Sequence, residues 1–194
     1  MILRLLIIAA FLTNFSTLEA AKKRRPASSD KYNDTNVTAP VDNEVCFSPD
    51  KGCDVKLWKF FQSATKSLDI AVYDITHPKL VHEILVASKK IAVRVVVDQR
   101  QSKGTHSLVS TLIKGKVPVK FGYQRGIMHH KFTLVDGKRL ETGSYNYSDN
   151  ATFRNQENQI YLSEPTIVKK FQDQFEQMWK EGRAPKTDLA SVKG

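Results

Sequence analysis

Residues 129–146 read HHKFTLVDGKRLETGSYN, from His129 to Asn146, and their spacing decides how the rest of the chain is read. Two runs rich in β-favouring residues, Lys131 to Val135 and Arg139 to Thr142, flank Asp136-Gly137, a dipeptide that signals a tight β-hairpin. On the first strand His129 and Lys131 share a face, because strand side chains alternate with a period of two. His130 points the other way and is left out of the site. Six residues then stand at fixed intervals: His129, Lys131, Asp136, Gly143, Ser144 and Asn146. At roughly one-in-twenty usage for each type, such a coincidence is rare in a chain of 194 residues.

These residue types belong together around a phosphodiester. Negative charge on its oxygens rises in the transition state, so the site needs fixed donors aimed at them. Lys131 is a compact cation, while the Ser144 hydroxyl and the Asn146 amide are neutral donors. The His129 imidazole can attack phosphorus, or protonate a departing alkoxide, near neutral pH. Gly143 gives the backbone room for close approach to a phosphate, or simply bends the chain.

The pattern resembles the HKD signature of the phospholipase D superfamily, H-x-K-x4-D-x6-G-S-x-N, and every fixed position is met. The likeness extends to FSPDKG near Phe47, LDIAVYDIT near Leu68, VRVVVDQR near Val95 and QENQIYL around Glu157, so it covers residues 44 to 182. Within the superfamily the chain is most similar to the branch with one motif per chain. That branch holds bacterial secreted endonucleases, mitochondrial cardiolipin hydrolase and Zucchini-type nucleases. The resemblance implies an α/β fold with a mixed, mostly parallel central sheet flanked by helices on both faces. It also implies a phosphodiesterase that needs no metal or other cofactor and works through a covalent phosphohistidine on His129. Glu157 matches the downstream glutamate that holds the imidazole in such enzymes. For Asp136 a direct catalytic part and a turn-forming part stay open together, since Asp-Gly makes hairpins by itself. Asp74 stands at the same sheet edge, where a carboxylate bears on the choice of substrate.

No internal repeat supplies a second motif. Nucleophile and general acid both have to be histidines of equal placement, so the sequence predicts a twofold homodimer with two His129 residues across a shared site. The formal net charge of +10 points to a polyanionic partner, nucleic acid or anionic phospholipid. It favours a nuclease acting on DNA or RNA over a phospholipase D-type lipid hydrolase, cardiolipin included. An inactive nucleic-acid-binding protein is the alternative of another class, and the intact motif argues against it.

The remainder is organised around this domain. Residues 1–20 read as a signal peptide, with Arg4, an apolar run from Leu5 to Leu12 and Ala20 for cleavage, or as an N-terminal anchor followed by Lys22 to Arg25. Residues 21–42 read as a flexible linker, 43–182 as the catalytic domain and 183–194 as a disordered tail. The reading is an exported protein, periplasmic or secreted, with membrane anchoring as its alternative. Cys46 and Cys53 are the only cysteines, and an exported protein at this spacing favours a local disulfide, with two reduced thiols flanking a turn as the other reading. Glycosylation sequons fall at Asn33, Asn36, Asn146 and Asn150. A glycan on Asn146 would fill the phosphate site, which favours a bacterial exterior over a eukaryotic secretory route.

Helical spacing appears at Leu57, Trp58, Phe61 and Ala64, at Leu80 to Leu85, at Leu108 to Ile113 with Gly115 as C-cap, and from Ile167 to Trp179. Strands are expected at Val45 and Phe47, Leu68 to Tyr73, Ala92 to Val97 and Gln159 to Leu162.

Overall fold

The computed structural model describes residues 37–49, 51–122 and 125–186. The expected targeting segment, most of the linker, the sequons at Asn33 and Asn36 and the end of the tail lie outside the described residues. The strands are β1 (Glu44–Ser48), β2 (Ser67–Val72), β3 (Ala92–Val97), β4 (Val119–Phe121), β5 (Lys131–Val135), β6 (Arg139–Gly143) and β7 (Glu157–Leu162). The helices are α1 (Cys53–Gln62), α2 (Pro78–Ala87), α3 (Val109–Lys114), α4 (Asp149–Phe153) and α5 (Pro165–Glu181).

One seven-stranded sheet runs in the order β1-β7-β6-β5-β2-β3-β4. The α/β class and the mixed sheet agree with the sequence reading, but parallel pairing is confined to β2–β3 and β3–β4. The β1–β7, β7–β6, β6–β5 and β5–β2 ladders are antiparallel. The correction has a local cause. Helical crossovers through α2 and α3 keep β2, β3 and β4 parallel, whereas the second half is joined by reversals. Asp136 and Gly137 both have positive φ, 57° and 63°, and form a tight turn closed by the Lys138 N–H donating to the Val135 carbonyl at 3.0 Å.

The two faces carry separate cores. On one, α1, α2 and α3 cover Leu68, Ile70 and Val72 of β2 and Val93, Val95 and Val97 of β3, with Phe60, Phe61, Tyr145, Tyr147 and Tyr161 filling the layer. On the other, α5 lays Val168, Phe175 and Met178 against Ala71, Val96, Phe132, Leu134 and Leu140. The α5 spacing repeats every three to four residues, so one stripe meets the sheet and the opposite face stays charged. Burying a side chain such as Phe175 stabilises the fold by about 1.5–3 kcal/mol. Arg94 of β3 fixes the helix further: it reaches Asp69 of β2 at 2.7 and 2.8 Å and Glu176 of α5 at 2.6 and 3.1 Å.

The ends of the elements follow their sequence signals. His77 caps α2 through Nδ1 and Ser148 caps α4. Glu164 caps α5 ahead of Pro165, accepting from the N–H groups of Thr166 and Ile167. Cys46 and Cys53 form a disulfide that ties β1 to the start of α1, with Cα atoms 5.7 Å apart. Gly115 does end α3, but in ordinary backbone, and Lys116 takes the left-handed conformation at φ 61°. A Cβ on Gly115 would lie 2.2 Å from Leu85 Cδ2, so a larger residue would have to displace that side chain. Residues 37–42, expected as linker, lie against the domain: Val37 packs on the core and the Pro40 carbonyl accepts from Arg139 at 2.7 Å. At the other end Arg183, placed in the disordered tail, exchanges backbone hydrogen bonds with Phe121 at 2.8 and 3.0 Å.

Candidate active site

The sheet brings the sequence-predicted residues to one edge. Chain directions put the C-terminal ends of β2, β3 and β6 beside the N-terminal ends of β5 and β7, and those ends carry Tyr73, Asp98, Ser144, His129 and Glu157. Val72 pairs with Lys131, and Gly143 with Gln159. The edge therefore gathers side chains from five strands.

His129 is exposed, and Lys131 is buried to 8% exposure beside it. Lys131 Nζ donates to the His129 carbonyl at 2.9 Å and lies 3.1 and 3.0 Å from the imidazole Nδ1 and Nε2. Tyr73 completes the cluster, with its ring centroid 4.6 Å from the His129 ring and 5.1 Å from Lys131 Nζ. Burial, and next the Lys131 charge, hold the His129 pKa below the ordinary imidazole value, while Asp98 pulls the other way. Burial also lowers the Lys131 pKa, and the Glu157 carboxylate partly opposes that shift. The imidazole is thereby kept neutral and nucleophilic to lower pH.

Ser144 and Glu157 form the next layer. Ser144 Oγ donates to Glu157 Oε2 at 2.5 Å, and Asn155 Nδ2 donates to Glu157 Oε1 at 2.9 Å. Within the chain Glu157 holds Ser144 and acts on Lys131 through its charge, and the expected grip on His129 is not made to the histidine of the same chain. Asn146 is half-buried, and its Oδ1 is shielded from solvent without a hydrogen-bond partner, so the amide is left to be satisfied by another group. Gly143 is explained by close approach, though not to phosphate: a Cβ would lie 2.1 Å from the Asn158 carbonyl oxygen.

Asp136 is not with them. It follows the far end of β5, five strand residues beyond His129-x-Lys131's own side of the sheet, on the order of 16 Å from Lys131. Its carboxylate accepts from Thr65 N and Oγ1, Lys66 N and Ser67 N at 2.7–3.1 Å. Those bonds pull its pKa below the usual carboxylate range against the opposing effect of burial. The left-handed turn and the loop entering β2 claim it entirely, so its part is structural.

Two residues with a claim on the site have no role in the sequence reading. Tyr73, expected at this sheet edge beside Asp74, is one. The other is Asp98, buried just after β3, whose Oδ2 accepts from Met128 N at 3.0 Å while Oδ1 accepts from Arg100 N and Gln101 N at 2.8 and 3.0 Å. It fixes the segment leading into His129. Its signal was the aspartate closing VRVVVD, a polar residue directly after a buried strand. Asp74 reaches a polar cleft of about 410 Å³ lined also by Gln101, His106, Ser148 and Asp149, and burial raises its pKa. Among the described residues no three His, Cys, Asp or Glu side chains gather as metal ligands would.

The family described as "Cardiolipin synthase, PLD-like domain" matches residues 57–179. Curated relatives include mitochondrial cardiolipin hydrolase of Danio rerio, 33% identical over 141 residues, which cover 72% of this chain and 62% of the relative. The Chlamydomonas reinhardtii protein of the same name is 33% identical over 62% of this chain and 54% of its own length. The chain thus spans little more than half the length of these relatives. Among solved structures, the phospholipase D family member Nuc from Salmonella typhimurium superposes with a TM-score of 0.69 at 26% identity, covering 74% of this chain and 97% of Nuc. NucT from Helicobacter pylori gives 0.67 at 26% identity over 74% of this chain and 99% of its own.

Proposed function

The chain belongs to the phospholipase D-like domain family, and on that footing we propose that it is a phosphodiesterase hydrolysing nucleic acid through a covalent phosphohistidine. The convergence of His129, Lys131 and Ser144 at one sheet edge, with Asn146 just beyond β6, carries the reading. An imidazole nitrogen of His129 attacks phosphorus, forming a P–N bond as the P–O bond to the leaving alkoxide breaks. The alkoxide takes a proton from a second His129, contributed by a twofold-related copy of the chain. Water then attacks phosphorus, gives its proton to that second imidazole, and the P–N bond breaks to free the enzyme. Lys131, Ser144 and Asn146 stabilise the phosphoryl oxygens, a task that in other hydrolases falls to divalent ions.

The net charge of +10 supports a polynucleotide as substrate. The second reading, hydrolysis of cardiolipin or a similar phospholipid, is favoured by the names of the curated relatives. Export to an oxidising compartment agrees with the Cys46–Cys53 disulfide; an N-terminal anchor is the alternative, and among the described residues no helix is long and apolar enough to cross a membrane.

One purified sample, assayed in excess EDTA against plasmid DNA, RNA and cardiolipin vesicles, tests both parts. Cleavage of nucleic acid with EDTA present is expected. Activity that disappears with EDTA and returns with magnesium would overturn the covalent histidine route, and turnover of cardiolipin alone would replace the substrate.

A further inference from the structure

Three helices begin around one buried imidazole. His77 is the N-cap of α2 and is 2% exposed, at a position that Ser, Thr, Asp or Asn usually fills. Its Nδ1 accepts from the Leu80 N–H at 3.5 Å, so the proton of the neutral ring sits on Nε2. Nε2 lies 3.6 Å from Asp54 Oδ2, in the first turn of α1, and 3.8 Å from Asp149 Oδ1, in the first turn of α4. Both distances exceed a hydrogen bond, and neither Nε2 nor Asp54 Oδ1 has a partner among the described residues. Leaving buried polar groups unmatched is costly. Asn or Asp would cap α2 without that cost, so capping alone does not account for the imidazole.

The backbone of the same residue grips the phosphate-binding segment. The N–H groups of Thr76 and His77 both donate to the Tyr147 carbonyl at 2.8 Å, and the Tyr147 N–H donates to the Asp74 carbonyl at 3.1 Å. Ile75 and Tyr147 also form a parallel bridge. Tyr147 directly follows Asn146, and Asp149 stands two places further on. Residues 74–77 therefore hold the chain just past Asn146, while the His77 ring faces the helix that this chain enters next. Asn146 Oδ1 has no partner of its own, so the amide takes its direction from the backbone around it.

We infer that His77 is a positioning residue for the hydrolysis, holding residues 145–149 through its backbone N–H and its Nε2 proton so that the Asn146 amide stands at the phosphoryl group. The inference rests on the phosphodiesterase reading and adds to it a residue that never touches substrate. Two carboxylates attract the Nε2 proton in a buried setting, where charge acts more strongly than in water. They keep the ring turned toward α1 and α4, and the start of α4 stays seated behind the segment.

His77→Asn separates the two duties of the side chain. Asparagine remains a favoured cap but is too short to reach α1 or α4, whereas His77→Gln places an amide donor near the position of Nε2. Single-turnover reaction with radiolabelled bis(p-nitrophenyl) phosphate, quenched in base, gives the labelled fraction of the enzyme and the labelling rate separately. His77→Asn is expected to reach the wild-type labelled fraction about tenfold more slowly, part of the hundredfold that a 1 Å misplacement costs, with the loss in kcat and KM unchanged. His77→Gln should recover most of the rate, and Asp149→Asn should lose about threefold, as for a partly exposed charge. His77→Asn at the wild-type rate would overturn the inference. So would a reduced labelled fraction at the wild-type rate, which marks a folding defect alone, or His77→Gln no faster than His77→Asn. Wild-type protein that takes up no label would instead sink the covalent route, so the two failures are told apart.

Discussion

At the scale of single residues, the chemistry turns on how Lys131 and His129 share a small space. Two imidazole nitrogens lie about equally far from one ammonium, 3.1 and 3.0 Å, so protonating His129 sets like charges together. Burial acts in the same direction, and the His129 pKa falls. The acid limb of kcat/KM should therefore lie below the ordinary imidazole pKa near 6.5. Lys131→Ala relieves the repulsion and moves that limb upward, while its lost charge lowers the rate by roughly two to three orders of magnitude, as for an oxyanion donor. A pH–rate profile of the two proteins reads both effects, and a limb that stays fixed denies the coupling. His129→Ala should abolish turnover and remove the acid-labile, base-stable phosphoryl-enzyme trapped with labelled substrate. Glu141 makes a separate case. Its carboxyl is 1% exposed, neither oxygen has a hydrogen-bond partner, and the neighbouring Thr133 hydroxyl is engaged with Tyr147. Desolvation raises its pKa to about 8. The unfolded chain releases this proton near pH 4.5 and the folded one near 8, so its contribution to stability is whole below the first value and is lost on approach to the second. Replacing Glu141 with Gln removes that dependence. Thermal melts from pH 5 to 8 should show the wild type losing stability relative to the variant, and parallel curves would contradict the shift.

At the scale of elements, Asp136 shows how a residue can sit in a catalytic pattern yet serve the fold. Its carboxylate joins the β5–β6 turn to the chain entering β2, making one hinge point of three strands. Asp136→Asn keeps a residue that tolerates the left-handed turn but weakens the acceptor, at a cost of about 1 kcal/mol; Asp136→Ala should cost more, roughly 1–3 kcal/mol, because the backbone donors lose their partner. Denaturant unfolding measures both, and kcat per folded molecule should change only severalfold. A hundredfold fall in kcat with stability intact would return Asp136 to the chemistry. The hairpin was legible because Asp136-Gly137 states its own geometry, and α5 because its apolar stripe runs for several turns. β4 was missed since Val119 to Phe121 is too short for alternation to register. α4 was missed because Asp149 to Phe153 are modest helix formers, with the Ser148 cap as the one local signal. The expectation of a mostly parallel sheet fails because helical crossovers in the first half say nothing about pairing in the second. Glu157 and Tyr73 needed the sheet itself: whether a carboxylate meets Ser144 or His129, and which ring closes on the imidazole, depends on strand ends far apart in sequence.

For the whole molecule the count of histidines sets the argument. One HKD motif provides one His129, while the reaction as proposed needs a nucleophile and an acid on opposite sides of phosphorus. A twofold dimer supplies both and gives chemically identical residues opposite duties. Two imidazoles near two Lys131 ammonium groups resist charging together, so the pair should titrate in two macroscopic steps. The lower step is the acid limb already described, and the upper one, where the acid loses its proton, closes a bell-shaped profile. Mixing wild-type chains with excess His129→Ala chains, after denaturation and refolding together, should drive activity down with the square of the wild-type fraction, because each mixed dimer lacks one role. A linear decline would mean each chain works alone. Sedimentation at assay concentrations provides the independent reading: specific activity should fall on dilution in step with the loss of dimer. Full turnover by a species that sediments as a monomer would refute the shared site, and the proton for the leaving alkoxide would then have to come from the chain itself.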